Sequence, residues 1–357
     1  MADYGVDVLG LSVGADLPYF TGYEAMPLER LTMLVVPRDA DATLVVPKLE
    51  APRVVEHPEV FSILPWSETE NPVEIVAKLA GSANNIAIGN QTWAMFLVQL
   101  IRQMPGTRFS EAGEITTALR SIKDPAEIEA LRAAGAAVDR IATELQAGRI
   151  PLVGRTEADV SADLSRRIIA EGHDRVNFAI VASGPNAASP HHHAGPRVIQ
   201  PDEVVLCDFG GTMFPEPGSP GYCSDITRCV YTGEIPAEFC ELYDVLFEAQ
   251  ASSVAAATVG TSCQDVDRAG RQVIADAGYG DFFIHRTGHG IGVEEHEDPY
   301  IVEGNETALV PGHAFSVEPG IYVPDRWGAR LEDILVAAAP GPDAMNTVDH
   351  HLHTVEA

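Results

Sequence analysis

Four acidic residues constrain this 357-residue chain more than any other feature. Asp208 follows the apolar run of VVLCDFGG, and Asp225 heads the run in YCSDITRCVY. Glu318 closes the run in AFSVEPGIY, ahead of Pro319-Gly320, and Glu332 opens the one in ARLEDILVA, which is apolar apart from Asp333. Each carboxylate therefore adjoins a segment patterned for burial. Singly, an Asp at a strand end is usually a turn or capping residue. Four carboxylates converging in an interior are different: each is costly to bury unless paired or metal-bound, and together they repel one another. Only Arg228 and Arg330 stand near them in sequence. Divalent cations are the natural remedy.

The spacing of the four residues points to a repeat. Asp208 and Glu318 are 110 positions apart, Asp225 and Glu332 107 apart. Helical patterns over 125–146 and 157–171 precede strand-like Val204–Phe209 and Ile226–Tyr231. Helical patterns over 237–257 and 263–277 precede Ala314–Glu318 and Leu331–Val336. Thr156 and Ser262 open the second helix of each set, with Asp159 and Asp265 three residues on, as capping pairs do. Helix–helix–strand–strand at one period predicts two pseudo-symmetric α+β halves around a shared cleft.

The first third reads as an α/β domain. Leu31–Val36, Thr43–Val46 and Ile86–Ile88 are strand-like, and Pro72–Leu79 and Thr92–Met104 are helix-like. It contains no Gly-rich phosphate loop. Asp124-Pro125 is a helix start, a capping Asp followed by proline at the first helical position. The predicted domains are accordingly residues 1–123 and 124–357.

Charge narrows the function. The formal net charge is −29, and residues 124–357 carry 14 Lys and Arg against 37 Asp and Glu. Most of these acids are expected to form a solvated surface. Such a surface repels nucleic acid and anionic lipid. No apolar run approaches the ~18 residues of a membrane span, and MADYGVDVLG lacks the features of a signal peptide. Five cysteines without a CxxC pair fit reduced thiols. A cytoplasmic protein is expected.

A nitrogen donor is also present. HRTGHGIGVEEHEDP carries His285, His289 and His296 among glycines, whose lack of bulk lets backbone pass close to a site. One histidine with four carboxylates suits two hard or borderline cations such as Mn²⁺, Co²⁺ or Zn²⁺. No GxSxG elbow is present, and no cysteine has a catalytic context; strand alternation turns Cys207 away from the face of Asp208.

In this order, SGPNAASPHH, CDFGG, SDITR, HRTGHGIGVEEHE, SVEPGIY and ARLED resemble the pita-bread metallopeptidases, in the branch of prolidase (Xaa-Pro dipeptidase) and aminopeptidase P. LPYFTGYEAMPLERLTMLVVP resembles the smaller creatinase-like domain that precedes the catalytic domain there. The resemblance implies a creatinase-like N-terminal domain followed by a pita-bread catalytic domain. It implies two divalent ions, Mn²⁺ first, held by Asp208, Asp225, His289, Glu318 and Glu332. His191 would lie beside the scissile peptide, His296 would contact substrate and the tetrahedral intermediate, and Arg330 would lie against ligands and substrate. Glu318 would move a proton, and His191 and Arg330 would hold the C-terminal side of the substrate.

The implied reaction is hydrolysis of the bond preceding proline, in Xaa-Pro dipeptides. An aminopeptidase P acting on longer peptides and a non-catalytic protein of the same fold are the alternatives. A homodimer is implied by resemblance alone. The segment GGTMFPEPGSPGYC between Asp208 and Asp225 is longer than the family's hairpin. Its three prolines predict a stiff excursion, with Glu216 and Tyr222 as its most notable side chains.

Overall fold

The computed structural model describes Met1–Glu356, and the chain divides into two compact units. The first comprises Met1–Arg120 with Phe214–Gly221; the second comprises Ser121–Met213 and the chain from Tyr222 onward.

In the first unit the elements are β1 (Val8–Leu11), α1 (Asp16–Thr21), β2 (Met33–Pro37), β3 (Ala42–Pro47), β4 (Phe61–Trp66), α2 (Pro72–Ala80), β5 (Asn85–Ile88), α3 (Ala94–Gln103), β6 (Arg108–Glu111) and α4 (Gly113–Arg120). The strands form one sheet in the order β4-β3-β2-β1-β5-β6. Alternation sends Met33, Val35 and Val45 to the face packed by Val73 and Val76 of α2 and Phe96 and Leu100 of α3. Leu34, Leu44 and Val46 go to the opposite face, with Leu17 of α1 and Ile115 of α4. The expected strands and helices are present. β1, β4 and β6 are additional: Gly10 and Pro65 interrupt the first two patterns, and RFSE is an edge strand with exposed ends.

The proline-bearing excursion is real. Phe214–Gly221 belongs to this first unit, where a Cβ on Gly218 would press on Val55 at 2.9 Å.

The second unit begins with α5 (Pro125–Gln146) and α6 (Glu157–Ala170), then β7 (Arg175–Ser183), β8 (Glu203–Met213), β9 (Tyr222–Cys223) and β10 (Ile226–Thr232). It continues with α7 (Ala237–Ala256), α8 (Cys263–Asp276), β11 (Gly288–Gly290), β12 (Glu297–Ile301), β13 (Ala314–Val317), β14 (Gly320–Val323), β15 (Trp327–Arg330), β16 (Asp333–Val336), β17 (Asp343–Ala344) and β18 (His353–Val355). Asp124 and Glu127 form a full capping box on α5, as do Thr156 and Asp159 on α6; the Ser262 side chain caps α8. β7 was not foreseen from sequence. Much of its length is only half-buried, so its apolar pattern is weak.

The two halves match in their sheets. β7, β8 and β10 are successive antiparallel neighbours, and so are β11, β13 and β16. Apolar residues of α5 and α6 cover Val205, Cys207 and Phe209 of β8, while Cys263 and Val266 of α8 cover Phe315 and Val317 of β13. Among the described residues, the sheets meet at one isolated antiparallel bridge, Thr227 to Glu332. Arg228, wholly buried, spans that seam. It donates to the carbonyls of Thr227 (2.9 Å) and Glu332 (2.6 Å) and pairs with Asp333 at 2.7 Å.

Ahead of α5, the buried Lys123 ammonium pairs with Glu297 at 2.5 Å. Burial, and then the charge of Lys123, push the nearby His313 imidazole down to about 4. An unfolded histidine titrates near 6.5, so between these values the unfolded chain binds more protons and stability rises with pH. Urea midpoints of the parent are expected to fall as pH drops from about 6.5 toward about 4, and His313→Asn should flatten that fall. An equal slope in parent and variant would refute the assignment.

Candidate active site

A cavity of about 480 Å³ opens on the seam between the two sheets of the second unit. Asp208 reaches it from the middle of β8, Asp225 from just before β10, Glu318 from just after β13, and Glu332 from just before β16. His289 reaches it from the centre of β11. Pseudo-equivalent strands thus contribute pseudo-equivalent carboxylates. Cys207, one residue before Asp208, faces the apolar core, and burial pushes its thiol up. His191, His296 and Arg330 line the same cavity, so every residue singled out from sequence for the site is brought together there. Glu216 is exposed, and Tyr222 donates to Glu127 at 2.9 Å; neither lines the cavity.

Glycine makes the approach of β11 feasible. A Cβ on Gly288 would collide with the carbonyl oxygen of Ser316, and one on Gly290 with that of Asp298. His289 is fixed between them: its amide donates to Ser316 Oγ (3.0 Å) and its Nδ1 meets Gly290 O at 3.1 Å. Since that carbonyl can only accept, Nδ1 carries the proton and Nε2 presents a lone pair. Nε2 lies 3.2 Å from Glu318 Oε1 and 3.8 Å from Asp225 Oδ2.

These groups fit a metal centre. Donor atoms of Asp225, His289 and Glu332, all buried, lie within 4.8 Å of one another. Asp208 Oδ1, Asp225 Oδ1 and Glu332 Oε1 are buried without a hydrogen-bond partner. Such orphaned atoms are costly unless something else satisfies them. Burial, and then neighbouring carboxylates, hold Asp225 and Glu332 well above the usual range. Asp208 is raised by burial despite Arg330. Glu318 is the exception: burial raises it, but a second proton on His289, at Nε2, would bring a hydrogen bond and a charge that outweigh burial and lower it.

Arg330 organises the carboxylates from behind. It donates Nη2 to Asp208 Oδ2 (2.5 Å), Nε to Thr227 Oγ1 (3.0 Å), and Nη1 to Tyr322 Oη (2.9 Å) and Pro190 O (3.4 Å). Thr227 Oγ1 in turn donates to Glu332 Oε2 at 2.7 Å. Tyr322 Oη meets His285 Nε2 at 2.9 Å, and His285 Nδ1 meets Arg286 O at 2.7 Å. With Nδ1 protonated, Nε2 accepts from Tyr322. Tyr322 is a residue that sequence reasoning missed. It closes the SVEPGIY motif in a short hairpin, where neither charge nor periodicity singles it out.

The chain matches the model of metallopeptidase family M24 over residues 128–339 and that of the creatinase/prolidase N-terminal domain over residues 1–122. The chain belongs to metallopeptidase family M24. A probable dipeptidase PepE of Mycobacterium tuberculosis is 40% identical, over 99% of this chain and 93% of its own length. The crystal structure of dipeptidase PepE from Mycobacterium ulcerans superposes with a TM-score of 0.91 at 40% identity, covering 100% of this chain and 95% of that one. A prolidase from Thermococcus sibiricus gives 0.90 at 32% identity, covering 99% and 96%. This M24 chain therefore has the creatinase-like and pita-bread architecture that its motifs implied.

One further carboxylate supports the M24 cavity from outside it. Glu157, on the first turn of α6, is fully buried. It accepts from Ser183 N and Oγ (both 2.8 Å), from Asn186 Nδ2 (3.0 Å), and meets His192 Nε2 at 2.7 Å. Burial would raise it, but these hydrogen bonds, that of His192 foremost, keep it below the usual range. The network ties SGPN to the His191–His193 segment, and hence sets where His191 enters the cavity. Glu157→Ala would leave several buried donors unpaired, so a loss of about 2–4 kcal/mol in unfolding free energy is expected. Denaturant titration checks it; an unchanged midpoint would refute the anchoring role.

Proposed function

We propose that this M24 metallopeptidase hydrolyses the peptide bond preceding proline in Xaa-Pro dipeptides, with two divalent ions, Mn²⁺ first. The observation that carries the reading is the set of orphaned, buried carboxylate oxygens beside the Nε2 lone pair of His289. In this reading Asp208, Asp225, His289, Glu318 and Glu332 hold the ions. Bound there, they would supply Lewis acidity and make hydroxide available near neutral pH. The names of similar proteins, dipeptidase and prolidase, support the choice of a short substrate with proline after the scissile bond.

The remaining chemistry falls to the chain itself. Glu318 accepts the proton given up by the attacking water and delivers it to the leaving nitrogen. That transfer matters for proline, whose imide nitrogen carries no hydrogen of its own. His296 stands exposed at the cavity with its ring centroid 4.0 Å from that of His289. It donates a hydrogen bond to the oxygen on which charge develops. His191 lies on the substrate side. Arg330 pairs with Asp208 and donates to Thr227, which in turn donates to Glu332.

Protein stripped of metal is expected to be inactive on Ala-Pro and to recover with added Mn²⁺, with slower turnover of Ala-Pro-Ala-Ala. Glu318→Gln should lower kcat by about 10²–10⁴-fold. Assays of proline release check both. Preference for the longer peptide would instead indicate an aminopeptidase, and no turnover with any divalent metal would overturn the peptidase reading in favour of a binding protein.

A further inference from the structure

Each half of the second unit carries a wholly buried carboxylate on its second helix. Glu157 lies on α6 and Asp267 on α8, both 0% exposed. They stand 110 positions apart, the offset that also separates Asp208 from Glu318. The same offset sets buried Val160 and Leu164 of α6 against buried Gly270 and Ile274 of α8. Glu157 anchors the segment of His191, which holds no proposed metal ligand. Asp267 anchors a different segment, and that one leads directly to His289.

Asp267 holds Arg271, one turn on, in a two-point pair: Nε reaches Oδ2 at 2.7 Å and Nη2 reaches Oδ1 at 2.9 Å. Such a fork is charge-assisted and fixed in direction. Its remaining polar atoms go to the backbone of one short segment. Asp267 Oδ1 accepts from the Thr287 amide (3.0 Å), while Arg271 donates Nη1 to Phe283 O (3.1 Å) and Nη2 to His285 O (2.7 Å). The guanidinium also lies over the Phe283 ring, 4.0 Å from its centroid. One ion pair on α8 thus fixes residues 283, 285 and 287. From there two connections reach the carboxylates. Thr287 O accepts the Glu318 amide at 2.7 Å, and His289 follows two residues later. The His285 ring meets Tyr322 Oη, which accepts from Arg330, the partner of Asp208. Neither Asp267 nor Arg271 lines the cavity.

We propose that Asp267 and Arg271 are positioning residues of the metal centre: they hold segment 283–287 so that His289 and Glu318 converge, and thereby set the affinity for divalent ions. The role rests on the proposed metal centre and on no feature of the substrate. Gly288 and Gly290 flank His289, and glycine gives the backbone freedom that something else must remove. The clamp removes it from the N-terminal side, as the hydrogen bond of the His289 amide to Ser316 Oγ does locally. Without the clamp, ordering the imidazole is a cost of each binding event.

The test separates metal affinity from stability. Metal-stripped parent, Arg271→Lys, the double variant Asp267→Asn with Arg271→Met, and Glu157→Ala are titrated with Mn²⁺ by calorimetry, and each is unfolded in urea. The double variant leaves no unpaired buried charge, keeps an acceptor for the Thr287 amide and retains apolar bulk over Phe283, so it is expected to fold. Residues that orient metal ligands typically change affinity by about 10- to 100-fold, and a loss of that size is expected in the double variant, with Arg271→Lys between it and the parent. Glu157→Ala should lose stability and keep the parent's Mn²⁺ affinity. In proline-release assays, excess Mn²⁺ should restore most of the kcat of the double variant with KM unchanged. A structural role alone would lower the urea midpoint and leave Mn²⁺ affinity as it is, which would overturn the proposal. An equal loss of affinity in Glu157→Ala would overturn it too. If the double variant does not fold, Arg271→Lys decides, and parent-like affinity there overturns the proposal. A parent that binds no divalent ion would overturn the metal-centre reading itself, and this role with it.

Discussion

Like charge confined in a buried seam governs the second unit. Asp208, Asp225 and Glu332 are all buried, and each keeps an oxygen with no hydrogen-bond partner. Burial and mutual repulsion raise Asp225 and Glu332 far from their ordinary titration. An arrangement of this kind persists only where something rigid enforces it and positive charge rewards it. The rigidity comes from placing the carboxylates on or beside β8, β10, β13 and β16, whose sheets join at the Thr227–Glu332 bridge. Arg228 and Asp333 clamp that bridge from the far side of the seam.

Around the carboxylates, each neighbour removes one freedom. Gly290 O fixes the tautomer of His289, and Ser316 Oγ binds both the His289 amide and Glu318 Oε1, at 3.0 and 3.1 Å. Thr227 passes an interaction from Arg330 to Glu332. Tyr322 joins Arg330 to His285. Hydrogen bonds of this sort orient donor groups and hold their protonation states, which is what a metal site requires of the residues behind its ligands.

Rigid elements and loops divide the work. The carboxylates and His289 lie within strands or one residue from them. His191, Arg286, Glu295 and His296, which also line the cavity, belong to connecting segments. Chemistry needs donors fixed to fractions of an ångström. Selection among peptides is altered more readily on loops, where a substitution leaves the sheets untouched. The large acidity of the chain is a separate matter, since few of its acids face the cavity.

The sequence by itself determined a good deal. Helix starts at Asp124, Thr156 and Ser262 were legible because a cap is a local contact between residues three apart. The four carboxylates were legible because each sits against an apolar run, and the 110- and 107-residue offsets disclosed the paired halves. His289 was singled out by the resemblance of its ordered motifs, and the structure brings it beside the carboxylates. Tertiary structure decided the rest. That Arg330 is spent on Asp208, that Tyr322 bridges it to His285, that Glu157 secures the His191 segment, and that Arg286 lies over Tyr300 are all contacts between residues that periodicity does not relate. Strand patterns say which side chains share a face. Only the register of strands distant in the chain says which of them touch.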